Sequence, residues 1–429
     1  MQVGGKARFA FGMLEAEKGT YRPMNRRFQL AVVATSACVV GMLLFGAVRG
    51  RSASIEGPYT HLGVYSEVLS RIKADYVEEP DMKAVTLGAI NGMLESLDPY
   101  ASYLNADQYK QYLNSRAAHK PQVGLLLSKR FGYMTVVDAI PGSPAAKASL
   151  STGDVVESIN NVSTRDMPLA FAEILMEGDA GTSIELSVLR IRKSDPQKVV
   201  LVRAPLVYPV VTARLQADPG QDSVGIIAAS TLEQNHVKDI ATKVGELEKQ
   251  GAKRLILDLR HNSTGAPEEG IALANLFMDK GLITYSLGQK SSRQEFQASS
   301  SKAITKLPLV VLTNRATAGG AEVAAAALLD SKRAEVVGEK TFGDAAVRKA
   351  ITLDDGSAVI LSVAKYYSPS GKAIQDTGVT PSTAVQETEP AGDPNDDVEP
   401  VEPVPGVVTP TKEGDAILLK GTEVVRKIS

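Results

Sequence analysis

Tryptophan is absent from these 429 residues and cysteine occurs once, at Cys38. A lone thiol forms no intramolecular disulfide, builds no multi-thiolate metal site and offers no dithiol pair for redox exchange. Aromatic residues make up only 5% of the chain, so the 44% that are hydrophobic must pack largely aliphatic cores. A dominant charge is missing too: 47 Lys+Arg against 49 Asp+Glu leave −2, no electrostatic footprint for a nucleic acid. The four histidines, His61, His119, His236 and His261, are scattered without a His-Glu-x-x-His or comparable spacing, so neither a metal nor a cofactor is expected. The GEKT run at 338–341 lacks the glycine loop that precedes a phosphate-binding lysine, which argues against a nucleotide. No internal repeat is visible.

What is present begins with one apolar run, 28–48, which carries no charge. At 1.5 Å per residue it matches a hydrocarbon core of ~30 Å. Residues 1–27 hold six Lys/Arg and two Glu, a net +4 that favours a cytoplasmic N-terminus. The expectation is a single-pass transmembrane helix in the inner (cytoplasmic) membrane, with the remaining domains extracytoplasmic or periplasmic. Arg49 and Arg51 follow the run where a small-x-small cleavage site would stand, so an anchor is preferred to a cleaved signal peptide. Cys38 has no leucine three residues before it and reads as a buried apolar thiol rather than a lipid-modified one. Met24 is an alternative start to Met1.

Beyond the run the texture changes three times. Residues 58–115 form a helical segment: Leu62, Tyr65, Val68, Leu69 and Ile72 recur at three and four residues, as do Leu87, Ile90, Leu94 and Leu97. Residues 121–206 show short β-like runs, 132–137 and 183–190, around one helix at 168–176, and suit one β-rich domain. Residues 207–385 alternate strands (223–229, 255–259, 308–313) with helices (235–249, 267–279, 321–329), the pattern of a sheet buried on both faces. Residues 386–429 read as a Pro-rich, acidic linker and C-terminal tail.

Short motifs punctuate this order: SLDPYASYL at 96–104, IPGSPAA at 140–146, GDVV at 153–156, LDLR at 257–260, VLTN at 311–314, GEKTFG at 338–343 and SPSG at 368–371. Together they resemble the C-terminal processing (tail-specific) protease family, in which a PDZ domain precedes a serine-protease core. The resemblance covers about three quarters of the chain. It implies an α/β fold with a crotonase-like (ClpP/crotonase-type) core, an inserted β-rich PDZ domain and an N-terminal helical segment.

The chemistry departs from the family at every position the resemblance assigns. Aligning Asn314 and Glu322 with the family's nucleophile stretch places Gly319 where the serine stands. The same offset puts Asp344 at the general-base lysine and Arg348 at the assisting glutamine. A serine–lysine dyad needs a hydroxyl to attack the carbonyl and a neutral lysine to take its proton, and Gly319 supplies neither. Removing members of such a unit costs roughly 10⁴ to 10⁶ in rate. The family's "NPGG" turn is represented by Asn262, Ser263, Thr264 and Gly265, which leaves the Thr264, Gly265 and Gly320 backbone amides as an oxyanion-type site. Thr317, with Asp344 as partner, is the fallback nucleophile, two residues off and on a differently directed Cβ. His261 reads as a strand-end histidine bonded to backbone, and Asp258 with Arg260 as a structural ion pair.

The PDZ resemblance implies capture of an extended C-terminal peptide, its carboxylate held by backbone amides of the 122–126 loop. Val123, Gly124, Leu125 and Leu126 are the loop candidates, and Leu169, Ala172 and Leu175 the apolar floor. The reading favoured on these residues is a membrane-anchored pseudoprotease that binds C-terminal tails of envelope or secreted proteins, or pairs with an active homologue. A homo-oligomer stays open. The alternatives are an active serine-type or Thr-based endopeptidase, and a purely structural envelope scaffold.

Overall fold

The structure is a computed structural model that describes residues 25–49, 60–118, 120–130, 132–165, 167–191, 193–233, 235–387 and 415–428. The basic segment 1–24, His119 and the Pro-rich acidic stretch at 388–414 lie outside the described residues. The chain divides into two units, Met1–Met82 and Lys83–Ser429.

The first unit holds helices α1 (Arg26–Arg49) and α2 (Thr60–Asp75). The 28–48 run is thus helical, but among the described residues no helix is long and apolar enough to cross a membrane. The expected transmembrane helix is therefore not supported among the described residues. In α2 the predicted period is realised, with Leu62 and Val68 at least half exposed.

The second unit opens with α3 (Met82–Glu95), β1 (Ser102–Leu104) and α4 (Ala106–Ala118). Asp98 shapes the SLDPYASYL turn by accepting the Tyr100 and Ala101 N–H groups at 2.8 and 2.7 Å. Asn105 and Gln108 then exchange side-chain-to-backbone bonds of 2.9 and 3.1 Å, a capping box that starts α4.

The β-rich portion comprises β2 (Leu125–Arg130), β3 (Tyr133–Ala139), α5 (Pro144–Lys147), β4 (Val155–Ile159), β5 (Val162–Ser163), α6 (Leu169–Met176), β6 (Ser183–Leu189) and β7 (Gln197–Val202). Its antiparallel sheet runs β2-β3-β4-β6-β7, with β5 paired to β4. The PGSPA motif becomes α5 because Ser143 caps it by accepting the Ala146 N–H, and Pro144 sits where a helix needs no donor.

The remainder supplies β8 (Thr212–Gln216), β9 (Val224–Ala228), α7 (His236–Lys249), β10 (Arg254–Asp258), α8 (Pro267–Phe277), β11 (Leu282–Leu287), β12 (Gln294–Gln297), β13 (Leu309–Thr313), α9 (Gly320–Asp330), β14 (Glu335–Gly338), β15 (Ala346–Thr352), β16 (Ala358–Tyr367), β17 (Thr383–Ala384) and α10 (Ala416–Lys427). Strands β17-β14-β13-β10-β9 are parallel, with β8 antiparallel at the edge. Alternation sorts their side chains by face. Ile227, Leu255, Leu257, Val311 and Val336 pack with α7, α8 and α9. Ile226, Ile256, Val310, Leu312 and Val337 pack instead with Ile417 and Val425 of α10. A second, antiparallel sheet runs β1-β16-β11-β12, with β15 on β16.

The segment read as a tail therefore ends in a helix that covers one face of the sheet. Asp415 caps it by accepting the Leu418 N–H at 3.0 Å, and a Cβ on Gly421 would come 2.6 Å from Leu312 Cδ2. Val425 is fully buried while Leu419 on the other side of the helix is 62% exposed. Val425→Asp is expected to destabilise the protein by about 3 kcal/mol or more, against about 0.5 kcal/mol or less for Leu419→Asp. Comparison of their calorimetric Tm values checks this docking.

Candidate active site

The chain leaves β13 at Asn314, turns tightly and enters α9 at Gly319, the N-cap residue. Gly319 has φ 62° and ψ −127°, a conformation that L side chains rarely adopt. Ala318 donates to the Asn262 carbonyl at 2.9 Å and Gly320 to the Gly265 carbonyl at 3.4 Å, so this turn rests against residues 262–265. Gly320 admits no side chain: a Cβ there would lie 2.6 Å from the Ala266 carbonyl oxygen. Position 319 is roomier, with its nearest atom, the Gly265 carbonyl oxygen, at 3.3 Å and the Asp344 carbonyl oxygen at 4.0 Å.

A fully buried carboxylate holds this arrangement. Glu322, in the first turn of α9, accepts the Gly319 N–H at 3.1 Å and the Asp344 N–H at 2.7 Å on one oxygen. Its other oxygen accepts the Gly343 N–H at 2.7 Å and the Thr341 hydroxyl. Burial pushes its pKa up to about 7, with the Asp344 charge adding to the rise and the hydrogen bonds from Thr341, Asp344 and Gly343 opposing it. The GEKTFG turn is thereby fastened beside the start of α9. Phe342 in that turn donates its N–H to Thr317 O at 3.0 Å and packs on the apolar cluster of the β-rich domain.

Asp344 is ion-paired with Arg348, whose guanidinium stacks 3.6 Å above the ring of Tyr100. Thr317 is fully buried, and its hydroxyl donates to the Leu259 carbonyl at 2.9 Å while accepting the Asn314 N–H at 3.1 Å. Both bonds engage this oxygen, the fallback nucleophile, in closing the turn. Thr264 shares a 2.6 Å hydroxyl bond with Thr231.

A second polar cluster lies next to the first. His261 Nδ1 is 3.3 Å from Asp138 of β3, and Nε2 is 3.3 Å from Glu387. Asn314 donates to Glu387 at 2.7 Å, and Ser263 donates to Asp138 at 2.9 Å. The bonds to Asp138 and Glu387 raise the His261 pKa to about 10 against its burial. Although burial opposes it, His261 and Asn314 hold Glu387 down at about 2. The expectation of a histidine bonded to backbone is corrected, since its ring meets two carboxylates. Asp258 and Arg260 do form an ion pair, bonded at 2.7 and 2.9 Å, and Arg260 also reaches Asp415 at the start of α10.

In the β-rich domain, Val123, Leu125, Leu169 and Ala172 are buried in one cluster, with Leu175 partly buried against it. Val123 and Ala172 are fully buried, so their side chains belong to the domain core, and the Val123 carbonyl accepts the Ala145 N–H at 2.9 Å. Gly124 takes φ +72°, and a Cβ there would sit 2.3 Å from Ser143 Cβ. Leu126 is partly exposed and pairs with Asp138 across β2 and β3.

Residues 223–385 match the model of peptidase family S41, 135–190 a PDZ domain and 61–108 the activating protease CtpB N-terminal domain. The carboxy-terminal processing protease CtpA of Bacillus subtilis is 31% identical over 85% of this chain and 78% of its own length. The carboxyl-terminal-processing protease of Synechocystis is 34% identical over 74% of this chain and 75% of its own. The chain belongs to peptidase family S41. Among solved structures, the photosystem II D1 C-terminal processing protease aligns with a TM-score of 0.63 at 27% identity, covering 76% of this chain and 93% of that one. The fold is therefore the ClpP/crotonase-like α/β type with a PDZ domain.

The structure brings Gly319, Gly320, Gly265, Asp344 and Arg348 to one place, and bonds the Thr317 hydroxyl to Leu259 and Asn314. Sequence reasoning missed Glu322, although an acid three residues into a helix is a capping signal. It also missed Asp138 and Glu387, which lie 123 and 126 residues from His261.

Glu322→Gln would turn an amide NH₂ toward backbone donors, and a loss of about 3 kcal/mol is expected in denaturant unfolding. The His261 titration predicts a second effect. A histidine raised in the folded state contributes stability that is complete below about pH 6.5 and is lost as pH rises through about 10. His261→Gln is therefore expected to flatten the decline of Tm between those values, which a pH series of melting curves measures.

Proposed function

We propose that this member of the family is a pseudoprotease that binds protein C-termini through its PDZ domain. One observation carries the reading. At the start of α9 the position assigned to the nucleophile is Gly319, and the position assigned to the base is an aspartate neutralised by Arg348. Acyl transfer needs an attacking atom and a group to take its proton, and neither function is available from a hydrogen atom and an ion-paired carboxylate. The Thr317 hydroxyl does not substitute, because it is buried and bonded on both sides to backbone.

Peptide capture is supported by the strand–helix geometry. Strand β2 is an edge of its sheet, α6 lies beside it, and Leu126 and Leu175 are partly exposed. An extended tail added to β2 would gain backbone bonds along the edge and place an apolar side chain against α6. The proposed ligands are the tails of envelope or secreted proteins, or an active homologue as partner. Their extracytoplasmic setting rests on the basic residues before the 28–48 run. The names of the relatives favour a second reading, an active endopeptidase that trims C-termini.

Incubation of the full chain with an unstructured protein ending in apolar residues separates the two. The expected result is no truncation, and truncation abolished by Thr317→Ala would overturn the pseudoprotease. Calorimetric titration with apolar-ended peptides is expected to give binding that weakens at least about tenfold when the terminal carboxylate is amidated. Equal heats for both forms would remove the PDZ-capture reading and leave a structural scaffold.

A further inference from the structure

The turn that carries the Thr264 and Gly265 amides is held from outside the peptidase core, by a residue of the PDZ domain. Asp138 lies within the 135–190 match and is 5% exposed, and its two oxygens are divided between the turn's first and third residues. Oδ1 is 3.3 Å from His261 Nδ1, and Oδ2 accepts the Ser263 hydroxyl at 2.9 Å. His261 and Ser263 bracket Asn262, whose side chain donates to the Ala229 carbonyl at 2.7 Å and whose carbonyl accepts the Ala318 N–H. Displacing this turn would therefore disturb the approach to α9.

Two observations indicate that the turn needs such a hold. His261 adopts φ 54°, in the left-handed region, and a non-glycine residue stays there only when its neighbours over-determine the conformation. Its hydrogen-bonding and ion-pairing neighbours come from separate elements: Asp138 on β3, Asn314 after β13 and Glu387 after β17. On the core side Glu387 is itself tied to Asn314, its N–H lies 3.4 Å from Glu339 Oε1, and nearby Arg260 is engaged by Asp258 and Asp415. Asp138 is the one member of the set that the PDZ sheet supplies, and its pairing with Leu126 places it on the strand next to β2.

We propose that Asp138 is a positioning residue through which the PDZ domain fixes the 261–265 turn against the start of α9. The role is independent of whether the site cleaves, since it concerns the shape of the turn and not a reacting atom. It makes the candidate carbonyl-binding amides a joint product of two domains.

Hydrogen exchange of the full chain, followed by mass spectrometry at neutral pH, tests this. In Asp138→Asn the amides of 261–266 are expected to exchange about tenfold faster than in the parent, with β9 and β10 unchanged. His261→Gln, which alters a half-exposed ring and keeps the fold, is expected to do the same. The double variant is expected to accelerate exchange by less than the two single effects combined would give, because the Asp138–His261 contact is lost in both, while the Asp138–Ser263 and His261–Glu387 bonds are lost separately. A separate readout is the His261 ring titration by NMR, whose midpoint should fall in Asp138→Asn. Unchanged exchange at 261–266, acceleration spread evenly along the chain, additive effects of the two substitutions or an unmoved His261 midpoint would each overturn the proposal. If Asp138→Asn does not fold, the His261→Gln exchange pattern decides alone.

Discussion

The buried carboxylate of Glu322 is the constraint on which the site is built. It binds two segments that sequence separates, the turn into α9 and the 341–344 turn, through three backbone N–H groups and one hydroxyl. A group that accepts four donors at full burial fixes direction as well as distance. The left-handed start of α9 at Gly319, the nearness of Asp344 and the placement of Phe342 all follow from it. Its raised pKa shows that burial outweighs even this set of donors.

Around that centre the PDZ domain and the peptidase core share several contacts. Phe342 and Tyr100 join the apolar cluster of the PDZ domain, and Arg348 of β15 stacks on Tyr100 while pairing with Asp344. Lys129 of β2, 7% exposed, pairs with Glu95 of α3 at 3.4 Å. Burial raises the Tyr100 phenol, with the Asp344 charge adding to it. The seam is thus apolar at Phe342 and ionic at Asp138, and both patches touch turns that line the candidate site.

The parallel sheet and its helices were legible because their periods are unambiguous. Val310, Val311 and Leu312 are apolar on consecutive positions because both faces are covered, and α7 repeats its apolar residues at helical spacing. The antiparallel sheet was not legible, since a strand such as Ala346–Thr352 is largely exposed and carries no strong alternation. Helix α10 was hidden because composition was read over 386–429 as a whole, and the Pro-rich portion masked an amphipathic dozen residues. The grouping of Gly319, Asp344 and Arg348 came from motif offsets along the chain. The Asp138–His261–Glu387 cluster could not, because nothing local records a contact made across three parts of a fold.

The two neighbouring glycines at the head of α9 differ in what they permit. A methyl group on Gly320 would collide with backbone that cannot retreat, while one on Gly319 would meet the Gly265 carbonyl oxygen at 3.3 Å, a tight contact that a shift of a few tenths of an ångström relieves. In evolutionary terms the two positions differ: a single codon change at 319 would place a side chain there at the cost of backbone strain and a tight contact, whereas 320 is closed for as long as α8 and α9 stay in contact.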